Sequence, residues 1–179
     1  MPTIVEHDAC ELLDADHIAV KHLFVEYARL AFAGAGTGTT ANNAKASGAR
    51  TADARATLAR KICNELTVHA QIEEEIFYPA LREAIDTPGL LDEAQAEHQQ
   101  ARELIARIES MKQDGSAMDE LVSQLARVVE QHVKEERDHL FPKARAADAL
   151  DLDELGAKLK ERQQQLEAQV ASGRAGREP

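Results

Sequence analysis

The sequence has few aromatic residues, few cysteines, no tryptophan and no long apolar run. Aromatic residues make up 3% of 179 residues, whereas Ala, Leu, Glu, Gln and Arg are abundant, which favours helix over sheet. No apolar stretch approaches the roughly 20 residues that a membrane span needs, and the N-terminal sequence lacks the basic-then-apolar order of a signal peptide. We therefore expect a cytoplasmic, all-α protein that does not enter a membrane.

Basic clusters are also absent. The formal net charge is −11, whereas phosphate contacts require a basic face, so we do not expect nucleic-acid binding. The two cysteines, Cys10 and Cys63, have no CxxC spacing, so neither a disulfide scaffold nor a cysteine-based zinc site is indicated. In an antiparallel bundle they would be roughly 20 Å apart, and we expect no disulfide between them.

Helix caps and breakers divide the chain into five helical segments. Their bounds are about 8–33, 51–85, 88–113, 116–147 and from 151 onwards. The capping signals are Asp8 with Glu11, Thr87 before Pro88, Ser116 with Asp119, and Asp151 with Glu154. Residues 34–50 are expected to form a loop and 171–179 a frayed end. The pattern predicts an antiparallel up-down four-helix bundle over residues 8–147, with an accessory C-terminal helix and tail over 148–179.

Each bundle helix carries a histidine in its apolar stripe, which alternates steps of three and four residues. The first and third stripes contain His17 and His98. The second and fourth contain a histidine followed one turn later by a glutamate, namely His69 with Glu73 and His132 with Glu136. With a rise of roughly 1.5 Å per residue, antiparallel packing brings these groups to a similar height, although Glu73 and His98 are offset by about 6 Å.

The two HxxxE motifs belong to an internal repeat. HAQIEEEIFYPALR (69–82) aligns without gaps onto HVKEERDHLFPKAR (132–145), so the bundle contains two copies of a lone-histidine helix followed by an HxxxE helix. Six inward polar groups at one level would be costly to bury without positive charge between them. Two metal ions would offset that cost. Imidazole and carboxylate ligands suit iron or manganese, and ligand type alone does not exclude zinc.

A single histidine in a helical seam is more often a hydrogen-bonded core residue than a ligand, but six groups at one level favour a metal site. Glu74, Glu75 and Glu135 fall off the stripe and are expected to be solvated. Pro79 and Pro142 are expected to end or kink their helices. His139 takes the stripe position equivalent to Ile76. Three roles of His139 stay open: an extra metal ligand, a residue that supports the ligands, or a hydrogen-bonded core group.

The order H…HxxxE…H…HxxxE resembles that of the hemerythrin-like HHE cation-binding domain over roughly residues 8–147. The resemblance implies a bundle holding two non-haem iron ions. It also implies terminal ligands at His17, His69, His98 and His132, and bridging carboxylates at Glu73 and Glu136. The oxygen-carrying hemerythrins have a second histidine one turn after the third-helix histidine, where this chain has Arg102. Their fourth-helix carboxylate is also one residue further from its histidine.

These departures imply an iron position with fewer protein ligands, which disfavours simple reversible O2 carriage. We therefore expect O2, peroxide or nitric oxide to bind or react at the open position. His139 is a candidate proton donor if it lies near that position. Two alternatives stay open: an iron or oxygen sensor without turnover, whose folding follows metal occupancy, and a peroxidase-type di-iron enzyme.

Overall fold

The structure, a computed structural model, describes residues 7–33, 41–112 and 115–175. Helix α1 spans Ala9–Ala33. Helix α2 runs through Ala41–Ile72, a π-helical turn at Glu73–Phe77 and a last segment at Tyr78–Ala84. Helix α3 spans Pro88–Ser110. Helix α4 runs through Ser116–Glu135, a π-helical turn at Glu136–Leu140 and Phe141–Ala146, and helix α5 spans Leu152–Ala175. The described ranges contain no strand, which confirms the all-α prediction.

Two separate apolar clusters show how the helices run. One joins Leu13 near the start of α1 to Ile72 in the second half of α2, and to Leu91 of α3 and Phe141 of α4. The other contains residues of the opposite ends, including Tyr27 of α1, Leu58 of α2, Ile108 of α3 and Leu121 of α4. Successive helices therefore run in opposite directions, as the up-down bundle prediction requires. A layer of polar side chains lies between the two apolar clusters.

Helix α5 packs against α1, α2 and the π turn of α2 through a buried leucine face. Leu155, Leu159 and Leu166 are buried in the same apolar cluster as Phe77 and Tyr78. Its start is capped as predicted, because the Glu154 amide donates to Asp151 Oδ1 at 2.9 Å. Among the residues described, no helix combines the length and the apolar character that crossing a membrane requires.

The loop predicted for residues 34–50 is wrong in its second half. Residues 41–50 form the first turns of α2, and the part at 34–40 lies outside the described residues. The segment ANNAKASGAR contains four alanines and a lysine, whose helix propensity is high, and the single Gly48 costs only about 1 kcal/mol relative to alanine. Continuation of an established helix is favourable enough to include such residues.

The predicted N-terminal cap is present at α1 and absent at α4. At α1 the Glu11 amide donates to Asp8 Oδ1 at 2.8 Å and the Asp8 amide donates to Glu11 Oε2 at 3.3 Å, as expected for a capping box. The predicted cap of α4 by Ser116 with Asp119 is wrong. The helix is capped at Gly115, and the Asp119 carboxylate instead accepts hydrogen bonds from Tyr27 and Arg55.

Both π turns lie just before a proline, Pro79 or Pro142. Proline has no amide hydrogen, and its ring clashes with the carbonyl four residues earlier in a regular α-helix. Widening of the preceding turn relieves that clash: the Tyr78 amide donates to Glu73 O and the Phe141 amide to Glu136 O, a spacing of one residue more than in an α-helix. Pro79 and Pro142 therefore do not end their helices. Instead, each follows a π turn that changes which residues of its helix face the core.

The two cysteines lie in different apolar clusters, Cys10 in one and Cys63 in the other, and both are free thiols. Burial raises the pKa of each to about 12. Such thiols remain protonated and behave as small apolar core groups.

Candidate metal centre

Six buried polar side chains form the layer between the two apolar clusters. They are the six residues expected from the stripes: His17, His69, Glu73, His98, His132 and Glu136. Ligand atoms of five of them lie within 4.8 Å of one another. The sixth, His98, joins through its Nε2 atom, which is 3.1 Å from Glu73 Oε2. The offset calculated between Glu73 and His98 is therefore absent from the folded chain.

The four histidines form two pairs that present Nε2 atoms to each other. The Nε2 atoms of His17 and His69 are 3.0 Å apart, and those of His98 and His132 are 3.2 Å apart. Two nitrogens bound to one metal at about 2.1 Å and at roughly right angles would be about 3 Å apart. Each pair therefore has a spacing that suits a shared ion.

The two glutamates extend across both histidine pairs. Glu73 places Oε1 3.2 Å from His69 Nε2 and its other oxygen, Oε2, 3.1 Å from His98 Nε2. Glu136 places Oε2 3.3 Å from His17 Nε2 and 3.7 Å from His132 Nε2. Glu73 Oε2 also lies 3.7 Å from His132 Nε2. Each carboxylate thus faces at least one histidine of each pair, which is the arrangement expected of a carboxylate shared by two cations.

In the metal-free protein the charge of this centre depends on the pKa values of its buried groups. Burial favours a neutral Glu73, but the charge of His69 and hydrogen bonds from the adjacent imidazoles hold the pKa of Glu73 well below its usual range. Burial likewise lowers the pKa of His69, but the Glu73 and Asp16 carboxylates outweigh this and raise it to about 10. The ionised Glu73 carboxylate is therefore balanced by positive charge on the adjacent His69 imidazole.

Several buried atoms in the centre lack a hydrogen bond to any described residue. They are Glu73 Oε1, Glu136 Oε2 and His17 Nδ1. Buried carboxylate oxygens without a hydrogen bond are unfavourable by about 1–3 kcal/mol each. Both oxygens face imidazole Nε2 atoms, so a cation between these groups would satisfy oxygen and nitrogen together. The residues present therefore fit a metal-ion centre.

Tyr78 is part of this layer although the apolar stripe did not indicate it. Its hydroxyl donates to Glu136 Oε1 at 3.0 Å and lies 3.3 Å from Glu73 Oε2 and 3.4 Å from His98 Nε2. Burial and the nearby Glu136 and Glu73 charges hold the pKa of Tyr78 well above its usual value. The phenol therefore remains protonated in the metal-free protein and presents a hydrogen-bond donor to the centre.

The π turns explain why a stripe with α-helical spacing includes the position of His139 and leaves out Tyr78. In a regular α-helix Tyr78 would lie roughly 140° around the axis from Glu73. The π turn rotates the chain after Glu73, so that Phe77 and Tyr78 are fully buried whereas Ile76 is only partly buried. The second π turn does the same at the equivalent positions, burying Leu140 and Phe141. The sequence signal for the two π turns was a glutamate followed six residues later by a proline, which occurs in both repeats.

The structure places His139 outside the centre. Its side chain is 51% exposed and its Nε2 atom lies 3.4 Å from Glu135 Oε2 on the bundle surface. The interpretation of His139 as a ligand or as a residue supporting the ligands is therefore not favoured, because the π turn removes it from the seam. Glu135, which was expected to be solvated, is the residue it contacts.

A carboxylate lies next to the outer ring nitrogen of every histidine in the centre. Asp16 Oδ2 is 3.4 Å from His69 Nδ1, and Glu97 Oε2 is 3.0 Å from His132 Nδ1. These two acids occupy equivalent places in the repeat, each directly before the lone histidine of its half. Such carboxylates fix the ring orientation and make the inward Nε2 a better metal ligand.

The other two histidines differ in how firmly their outer nitrogen is held. Glu74 Oε1 is 2.8 Å from His98 Nδ1 and also accepts a hydrogen bond from Arg102. The expectation that Glu74 is only solvated is therefore wrong, since it faces a histidine of the next helix. Asp14 Oδ1, by contrast, is 3.7 Å from His17 Nδ1, beyond hydrogen-bonding distance.

A small cavity of about 30 Å3 adjoins the four histidines on the side of the second apolar cluster. Its remaining walls include Val20, Leu66, Ala101, Val128 and Val129. This volume has room for one or two water molecules. The centre is therefore open to a diatomic or similarly small molecule, and larger molecules would not fit without movement of the helices.

Comparison with known proteins agrees with this geometry. A DNA nickase from Nostoc sp. (strain PCC 7120 / SAG 25.82 / UTEX 2576) is 33% identical over 84 residues, which cover 45% of this chain and 23% of that protein. The chain thus matches less than a quarter of that relative's length. The crystal structure of a hemerythrin HHE cation-binding domain-containing protein from Mycobacterium kansasii has a TM-score of 0.70 at 24% identity. The match covers 93% of this chain and 91% of that one, and shows a shared fold.

The family model of the hemerythrin HHE cation-binding domain matches residues 8–144. That range contains all four bundle helices except the last residues of α4, and all six side chains of the buried polar layer. The chain therefore belongs to the hemerythrin HHE cation-binding domain family.

Proposed function

We propose that this metal-binding domain holds two non-haem iron ions, one at each histidine pair, and that it binds or reacts with O2, peroxide or nitric oxide there. The observation that carries the proposal is that each glutamate faces at least one histidine of each pair. Iron in such a site would supply a redox-active centre for small ligands. Manganese and zinc use overlapping ligand types and are tested below.

The ligand class is argued from the cavity. A volume of about 30 Å3, lined by the four histidines, by Asp16 and Glu97 and by apolar side chains, accommodates a diatomic molecule or peroxide. The apolar clusters on both sides of the polar layer limit the entry of bulk water. Small oxidants and nitric oxide are therefore better candidates than organic substrates.

The protein's own residues divide the work in this proposal. His17, His69, His98 and His132 would hold the ions, and Glu73 and Glu136 would supply a carboxylate to both. Arg102, at the place of an additional histidine in oxygen-carrying hemerythrins, instead holds Glu74 against His98. Tyr78 keeps a proton on its hydroxyl oxygen, 3.0 Å from Glu136 Oε1, where it donates to the carboxylate.

The ligand assignment predicts which acids control metal content. Glu73→Ala and Glu136→Ala should each reduce the bound iron by more than half, because each removes a carboxylate facing both histidine pairs. Glu135→Ala is the matched control, since Glu135 directly precedes Glu136 but contacts His139 on the surface. Elemental analysis of protein purified without a tag measures the content. Equal iron in all four proteins would contradict the assignment.

The reactivity is tested by an optical spectrum of the iron-loaded protein before and after addition of O2, peroxide or nitric oxide. A spectral change that appears with one of these ligands supports the proposal. Repeated removal of added peroxide would identify a peroxidase-type enzyme, whereas a stable change without consumption would identify a binding or sensing protein. Zinc alone in the purified protein, with no uptake of iron, would overturn the redox proposal.

A further inference from the structure

Helix α5 reaches the metal centre through two consecutive polar residues. Arg162 Nε donates to Glu75 Oε2 at 2.7 Å, on the π turn that begins with Glu73. Gln163 Nε2 donates to Asp16 Oδ2 at 2.8 Å. The same Asp16 oxygen lies 3.4 Å from His69 Nδ1. The C-terminal helix is therefore connected to a metal-facing histidine through one shared carboxylate oxygen.

The two distances show which contact fixes Asp16. The bond from Gln163 has an ordinary length for an amide donor, whereas the contact with His69 is long. Asp16 is partly exposed, so without Gln163 its carboxylate could rotate towards solvent. His69 would then lose the acceptor that holds its ring with Nε2 directed at His17 and Glu73.

This contact is specific to one half of the pseudo-symmetric bundle. Glu97 is the equivalent of Asp16 in the second repeat, and it faces His132 Nδ1 directly at 3.0 Å. Helix α5 packs against α1, α2 and the π turn of α2, which form the first half. The ion at the His17 and His69 pair is thus the one whose surroundings depend on α5.

We propose that Gln163 is a positioning residue for His69, and that docking of α5 controls how tightly the His17 and His69 pair retains its metal ion. The inference rests on the proposed two-ion centre. Within the described ranges, the Gln163 side chain donates its hydrogen bond to Asp16 and not to a histidine or glutamate of the centre. It acts through Asp16, so its effect must disappear when Asp16 is removed.

The test is a double-mutant cycle with zinc as the probe metal, titrated against a competing chelator. Asp16→Ala should weaken the binding of one zinc ion roughly tenfold or more. Gln163→Ala should weaken the same ion roughly fivefold, as expected from loss of one hydrogen bond. Gln163→Glu should weaken it further, because it places a second negative charge beside Asp16. Gln164→Ala is the matched control, since its exposed side chain lies next along α5.

The double variant Asp16→Ala with Gln163→Ala should bind zinc as Asp16→Ala alone does. Effects that add would mean that Gln163 only stabilises helix packing, and would overturn the inference. So would equal zinc affinity in Gln163→Ala and Gln164→Ala. If wild-type protein binds fewer than two zinc ions, the two-ion centre itself fails, and this outcome is read from the wild-type titration alone.

A second measurement separates positioning from general loosening. In zinc-loaded protein labelled with nitrogen-15 at histidine, the His69 Nδ1 proton should show a hydrogen-bonded resonance that Gln163→Ala shifts or broadens. The His132 resonance should not change, because Glu97 holds it independently of α5. An unchanged His69 resonance in Gln163→Ala would contradict the inference.

Discussion

Gly156 on α5 tests whether the C-terminal helix packs on the bundle as described. Alanine in place of glycine inside a helix ordinarily stabilises by about 1 kcal/mol. At this position a Cβ atom would lie 2.5 Å from the His7 carbonyl oxygen and 3.0 Å from the Ala9 amide nitrogen. Those contacts are with backbone atoms at the start of α1, which cannot rotate away. The helix would have to move by about 1 Å to reach van der Waals distance.

Such a movement would loosen the leucine face of α5. Leu155 and Leu159 flank Gly156 and are buried against the bundle, so overpacking there should cost about 1–3 kcal/mol of unfolding free energy. After the propensity gain of about 1 kcal/mol is subtracted, the net loss is up to about 2 kcal/mol, which for a chain of this size lowers Tm by up to roughly 8 °C. Gly173→Ala on the same helix is the control, because a Cβ there would have nothing within 4 Å. It should leave Tm unchanged or raise it by a few degrees.

The assay is thermal unfolding followed by far-ultraviolet circular dichroism, with and without bound zinc. Gly156→Ala should also weaken the binding of one zinc ion, because it displaces Gln163 from Asp16. If Gly156→Ala is as stable as Gly173→Ala, α5 does not approach the start of α1 as closely as described. The metal centre would then not depend on the docking of that helix.

Two further predictions concern the ligands themselves. Glu74→Ala should weaken the binding of zinc at His98 and His132 roughly 10- to 100-fold in the chelator titration, because Glu74 Oε1 lies 2.8 Å from His98 Nδ1 and fixes that ring. A zinc affinity equal to that of Glu135→Ala would refute this role. In the metal-free protein the pKa of His69 is raised to about 10. Protonated His69 therefore stabilises the fold fully below its unfolded-state pKa of about 6.5, and this stabilisation is lost as the pH rises towards 10. Because metal binds the neutral imidazole, the affinity for zinc should rise over the same pH interval, and zinc binding at pH 7.5 should release protons. Calorimetry in two buffers of different ionisation enthalpy measures that release. Zinc binding without proton release would contradict the raised pKa of His69.

The bundle and its six polar residues could be predicted because they depend on local periodicity. His and Glu one turn apart in an apolar stripe remain on one face as long as the helix is regular, and the segments up to Glu73 and Glu136 are regular. The repeat then indicated that both halves present the same groups. Antiparallel packing of the helices was sufficient to bring them to one level.

The residues after each glutamate could not be placed because a turn of different width intervenes. A stripe extrapolated with α-helical spacing predicts Ile76 and His139 inside, whereas the structure buries Tyr78 and Phe141. The outer carboxylates could not be placed for another reason. Glu74 and Glu97 each contact a histidine on the following helix, and such contacts depend on helix rotation, which periodicity leaves undetermined. Two acids directly preceding lone histidines were nevertheless a usable signal.

The same repeat also shows where the two halves have become different. Tyr78 stacks on His98 with ring centroids 5.5 Å apart, and its repeat equivalent Phe141 stacks on His17 at 6.0 Å. The aromatic support is shared, but only the first of these rings places a hydroxyl in the centre. The α5 contact through Gln163 falls on the other histidine pair. One pair thus has a proton donor beside it and the other depends on an accessory helix. If the centre holds two ions, as proposed, their surroundings would therefore differ.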